Sequence, residues 1–189
     1  MGDNEFGYTA WGMDWVRLAE PLHRTRPEPL LPRARSIARH HGVDLTVTGR
    51  IVRAHIQRGG QASLAHLEVE PMSRATVAAV AEVLPDPGHP TDEAHRALLE
   101  VGLSPAPVLV GTDCSCPARK AHCLHVLATL YAVARRVDEN PRLALELRGY
   151  FDSALRAADP ETPAPRWIPL HTLDPEDYFH PAGPPLPVR

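Results

Sequence analysis

Residues 113–125 read Asp-Cys-Ser-Cys-Pro-Ala-Arg-Lys-Ala-His-Cys-Leu-His, and they hold every cysteine in a chain of 189 residues. Cys114, Cys116, Cys123 and His125 form the pattern C-x-C-x6-C-x-H. Three thiols and an imidazole are the donor set of a closed tetrahedral zinc site. Such a site dictates local structure. In an extended segment alternate side chains point the same way, so Cys114 and Cys116 can converge. On a helix, residues two apart lie about 200° from each other and cannot share a metal. Cys123 must therefore sit at or just before a first helical turn, with His125 inside it. The expected unit is two short strands, a loop and a helix whose N-terminus meets the ion.

Three thiolates, a neutral imidazole and Zn2+ leave one net negative charge. Arg119 and Lys120, in the loop between the pairs, can offset it, and so can the positive end of the helix. His122 competes for the fourth position, but as the neighbour of Cys123 it would form a very tight chelate, so His125 is preferred. Four protein ligands leave no place for water, which disfavours catalytic zinc. A disulfide or a thiol redox switch is the other reading of the cysteines. It fits poorly with an odd count and a reducing compartment.

The rest of the composition narrows the class. The formal net charge is −3 and 43% of residues are hydrophobic, so the chain is no polycation and has enough apolar material for a core. No apolar run approaches the length of a membrane span. The first residues lack the basic and apolar regions of a signal peptide, so a cytoplasmic protein is expected. No phosphate loop, nucleophile elbow or paired catalytic carboxylates stand out, and no enzymatic activity is expected.

Four regions follow from periodicity. Residues 1–40 hold a helical face of Trp11, Trp15 and Leu18, then an Arg/Pro-rich linker through Pro32, with a short basic helix over 33–41. Residues 41–104 begin with alternation: Val43, Leu45 and Val47; Val52, Ala54 and Ile56; Ala65, Leu67 and Val69. Turns at Gly49-Arg50 and Gly59-Gly60 separate them, which predicts a three-stranded antiparallel meander with one buried face. Two helices follow. Ser73 caps the first, with a face of Val77, Val80, Ala81 and Leu84, and Thr91 caps the second, which ends at Gly102. Residues 105–156 contain a strand over 105–110, the cysteines, and a helix with Val126, Leu127, Leu130, Tyr131, Ala134 and Val137 on one face. Asn140-Pro141 then caps a short helix, and a further one is expected from Phe151. Residues 157–189 are a Pro-rich extended tail. Its Trp167, Ile168, Leu170, Tyr178 and Phe179 are more apolar than a disordered segment needs and are read as partner-binding anchors. The fold class is α+β.

The cysteine pattern resembles the SWIM zinc finger, with C-x-C-x(n)-C-x-H on a strand-strand-helix unit. Asp-Cys-Ser-Cys-Pro matches the first half; in the second, Leu124 stands where the family usually has a lysine. Trp11-Gly12, Trp15-Val16, Gly49-Arg50-Ile51-Val52 and Asp138-Glu139-Asn140-Pro141 through Leu147-Arg148-Gly149 look like bacterial SWIM zinc finger proteins, over roughly residues 6–156. The resemblance implies one structural zinc and a binding role toward DNA or protein, often near helicases of the Swi/Snf type.

Residues 17–60 carry nine arginines against three acids. Arg33, Arg35, Arg39, Arg50, Arg53 and Arg58 are the candidates for a phosphate-backbone surface; a solvated charged face is the alternative. His23, His40, His41 and His55 are expected at the surface. The function expected is an adaptor subunit of a DNA- or RNA-processing complex. A protein-interaction scaffold without nucleic-acid contact and a thiol redox sensor are the other readings.

Overall fold

A computed structural model describes residues 5–22, 28–58, 60–118 and 122–153. Helix α1 spans Ala10–Ala19, started by Thr9, whose side chain accepts from the Gly12 amide. Trp11 and Trp15 are fully buried, as their spacing requires, and Leu18 is half-buried. Helix α2 covers Leu31–Arg39. It begins earlier than the basic stretch suggests, because Pro32 falls in the first turn, where a missing N–H removes no helical hydrogen bond. Leu31, Ala34 and Ala38 are its buried stripe.

The meander forms as expected. Strands β1 (Val43–Thr48), β2 (Ile51–Arg58) and β3 (Gln61–Val69) pair antiparallel, with Val47 opposite Val52 and Ala54 opposite Ala65. Gly49 turns the first hairpin at φ +56°, a conformation only glycine adopts without strain. Val43, Val52, Ala54, Ile56, Ala65, Leu67 and Val69 are buried, while Asp44, Thr46, Arg53 and His55 face solvent.

Helix α3 (Arg74–Val83) is capped by Ser73 and buries Val77 and Val80; Leu84 beyond it is also buried. Ala81 is exposed instead of joining that face, since it falls outside the narrow stripe that the two valines define. Helix α4 (Asp92–Glu100) is capped by Thr91 and terminated by Gly102 at φ +80°.

Two expectations about the next segment need correction. The strand is β4, Leu109–Cys114, not 105–110: Pro105 and Pro107 cannot donate to a ladder and precede it. The cysteine segment also brings no second strand of its own among the described residues. β4 pairs antiparallel with β3, so the order is β1-β2-β3-β4 and the cysteine unit borrows the sheet of the meander.

Helix α5 (Leu124–Glu139) is the central element. It packs on α1, α2 and the inner face of the sheet, and eleven of its sixteen residues are buried, Val126 through Ala134 without a break. A helix apolar all round belongs inside a core. Helix α6 (Arg142–Leu147) follows after Pro141, which takes the capping position expected of Asn140, and a further helical turn begins at Tyr150. The tail residues Trp167, Ile168, Leu170, Tyr178 and Phe179 lie outside the described residues. No helix among the described residues is long and apolar enough to cross a membrane.

Candidate metal centre

Each ligand is placed by the element that ends or begins beside it. Cys114 closes β4, and Cys116 stands at the bend that leaves the sheet. Cys123 is the N-cap of α5, its sulfur 3.5 Å from the Val126 amide, and His125 lies in the first turn. One donor atom from each of Cys114, Cys116, Cys123 and His125 lies within 4.8 Å of all the others. The Cys114 sulfur and the His125 Nδ1 are 3.8 Å apart. Ligands about 2.0–2.3 Å from a tetrahedral ion are separated by roughly 3.3–3.8 Å, so a modest contraction seats one zinc. His122 is exposed and does not join the cluster.

The electrostatics suit a divalent cation. All three thiols are buried. Burial pushes the Cys114 thiol up to about 12, and the neighbouring Cys123 sulfur adds to this. Crowded thiols therefore resist ionising unless a cation compensates, which zinc does. His125 is held below its ordinary value, first by burial and then by the charge of Arg33, and the neutral imidazole this favours is the ligating form.

Residues 98–134 match the family profile of the SWIM zinc finger. The chain carries a SWIM zinc finger. The match covers the end of α4, β4, all four ligands and the first two-thirds of α5. No curated protein and no solved structure gave a significant match.

The residues of the finger fit one structural zinc held by Cys114, Cys116, Cys123 and His125. Bound there, the ion ties the end of β4 to the start of α5 and so fixes the central helix on the sheet. The expected counter-charges Arg119 and Lys120 lie outside the described residues. Arg33 of α2 acts on His125, a placement that sequence distance concealed.

Three of the candidate arginines have acidic partners within the chain. Arg35 pairs with Glu20 and donates to the Tyr131 hydroxyl, whose own proton goes to Glu20. Arg39 pairs with Glu5. Arg50 donates to the Val69 carbonyl at 2.7 Å and lies 3.5 Å from Glu68. Arg33 and Arg53 are exposed, Arg53 beside His66 in the register of β2 and β3. Arg58 ends β2. His40, His41 and His55 are exposed; His23 is outside the described residues.

Sequence reasoning missed two polar joints. Asp138, buried near the end of α5, accepts from the Gly7 amide at 2.6 Å, the Thr9 amide at 2.9 Å and the Thr9 hydroxyl at 2.8 Å. Gly12 packs so closely there that a Cβ would stand 2.0 Å from an Asp138 oxygen. Asp14 of α1 and His95 of α4 form a buried pair at 2.8 Å, and Trp11 meets the His95 ring edge-on. The Trp11-Gly12 motif was the visible trace of the first joint; nothing local marked the second.

Beside the finger lies an open, mainly apolar groove of about 360 Å³. Leu18 of α1, Pro107 to Leu109 and Thr112 around β4, His122, and Val126 and Leu130 of α5 line it.

Proposed function

We propose that the protein is a non-catalytic adaptor, cytoplasmic, whose zinc shapes a binding surface and takes no part in chemistry. The observation that carries this reading is the closed donor set: four protein ligands converge on one point and leave no coordination position for substrate. The primary partner is a protein. Three of the six candidate arginines are engaged within the chain, on Glu20, Glu5 and Glu68. On the open sheet face Arg53 shares its row with the carboxylate of Asp113. A phosphate-binding face is favoured by clustered, unpaired positive charge, which these pairs reduce.

Nucleic-acid contact is the second reading, favoured by one placement: Arg33 is exposed, beside the finger, on the helix that packs against α5. A role within a DNA- or RNA-processing assembly accords with either partner. The test is co-purification of the zinc-loaded protein from its native host, combined with titration against duplex DNA and RNA at two salt concentrations. A stoichiometric protein partner with no salt-dependent nucleic-acid binding is the expected result. Tight binding that weakens steeply with salt and on Arg33→Ala would move the function to nucleic acid. Turnover of a substrate that depends on the bound zinc would overturn the adaptor reading.

A further inference from the structure

Among the described residues β4 is an edge strand, so its outward amides have no neighbouring strand to bond. The Ser115 amide donates to the Leu64 carbonyl, and the Glu70 amide to the Val108 carbonyl. Antiparallel pairing alternates, so Asp113, opposite His66, and Gly111, opposite Glu68, turn their backbone groups toward β3. The N–H and C=O of Thr112, opposite Leu67, and of Cys114, opposite Ala65, therefore point outward, and no further strand pairs with them among the described residues. Unpaired edges are ordinarily protected by charge or proline. Here the side chains next to Thr112 on the edge include Val108 and Val110, 48% and 55% exposed, and Thr112 itself opens onto the apolar groove.

We propose that β4 pairs with β4 of a second copy of this chain, about a two-fold axis at Thr112, giving one continuous eight-stranded sheet. The axis makes each Thr112 both donor and acceptor to its counterpart and sets the outward groups of Cys114 opposite Val110 of the other copy. Asp113 then stands opposite Gly111 of the second copy, and the two carboxylates do not meet. Val110 falls beside Cys114 of the second copy, at the end of its zinc-held strand. The axis is perpendicular to the sheet, so the helices of both copies lie on the same side. The two grooves, each walled by Leu18, Val126 and Leu130, come together and cover each other's apolar lining.

This dimer is independent of whether the adaptor reading holds: a monomer with a protein partner would refute only the dimer, and a dimer with no partner only the adaptor. Sedimentation velocity on the full-length, zinc-loaded protein, from low to high micromolar concentration, is the test. The expected mass is twice the 20.7 kDa of the chain. Thr112→Pro removes the outward amide at the axis, which the sheet of one copy does not use. Val110→Lys places a charge on an exposed edge position. Each should raise the dimer dissociation constant at least about tenfold, a loss of about 1.4 kcal/mol, with zinc content and circular dichroism unchanged. If Thr112→Pro disturbs zinc binding, Val110→Lys decides alone, because its side chain is exposed. A wild-type protein that stays monomeric throughout overturns the proposal. So does a dimer that keeps its affinity in Val110→Lys, which would be held elsewhere, residues 160–189 included.

Discussion

The two ends of α5 are fastened by different chemistry. At its N-terminus four side chains gather around a site for an ion, and the thiol of Cys123 doubles as the helix cap. At its C-terminus one carboxylate, Asp138, gathers two amides and a hydroxyl from the segment that leads into α1. The first joint depends on a metal and closes a loop within one stretch of sequence. The second needs no metal and joins residues about 130 positions apart. The core between them is common to both, so losing one joint should leave a measurable remnant of the other.

The largest way to break that symmetry is Cys123→Ser. It removes a zinc ligand and the cap together, and the expected loss is at least about 4 kcal/mol. Amide exchange should rise across Cys114–Leu130 while Gly7 and Thr9 stay protected. Equal loosening of both ends would show that the joints are not separable. Asp138→Ala is the converse change. It leaves buried donors unanswered, at about 3 kcal/mol, and should free the N-terminal segment while the zinc content stays at one per chain. Gly12→Ala should act in the same direction, because its Cβ cannot fit beside the carboxylate.

A pH series sharpens the contrast. In metal-free protein the Cys114 thiol, at about 12, stays protonated where an unfolded thiol ionises near 8.5. The unfolded chain is then the one that gains by losing the proton, so stability is retained below about 8.5 and lost as pH rises beyond it. Zinc-loaded protein already holds thiolates, and its melting temperature should change far less over the same range. Parallel alkaline decline in both forms would contradict the assignment of Cys114 as a ligand. The smallest effect is expected for Arg33→Ala. Its exposed side chain acts on His125 only by charge, so stability should move by no more than about 0.5 kcal/mol. A larger loss would mean that α2 helps hold the finger.

Much of this is legible in the sequence. Period-two alternation from Val43 to Val69 places three strands in register, because one buried face tolerates no slip. The i, i+2 spacing of Cys123 and His125 locates the start of α5, because the metal excludes any other geometry. What remained hidden is non-local. Nothing near Pro107 or Thr112 says that β4 will join a sheet built some fifty residues earlier, with Asp113 opposite His66. The arginines of α2 look like a basic surface until Glu5 and Glu20 arrive from a different part of the chain. Asp138 reads as a helix-terminal acid; its three donors come from the far N-terminus. Charge counted along a sequence records neighbours in the chain, and these partners are neighbours only in the fold.

Both the anchoring of α5 and the adaptor reading depend on the finger being a closed structural zinc site. Elemental analysis of the purified full-length protein, paired with thermal melts before and after chelation, tests it most directly. One zinc per chain is expected, lost in Cys123→Ser, with a large fall in melting temperature when the metal is stripped that zinc restores. Protein that purifies without zinc and melts at the same temperature with and without chelator would contradict it.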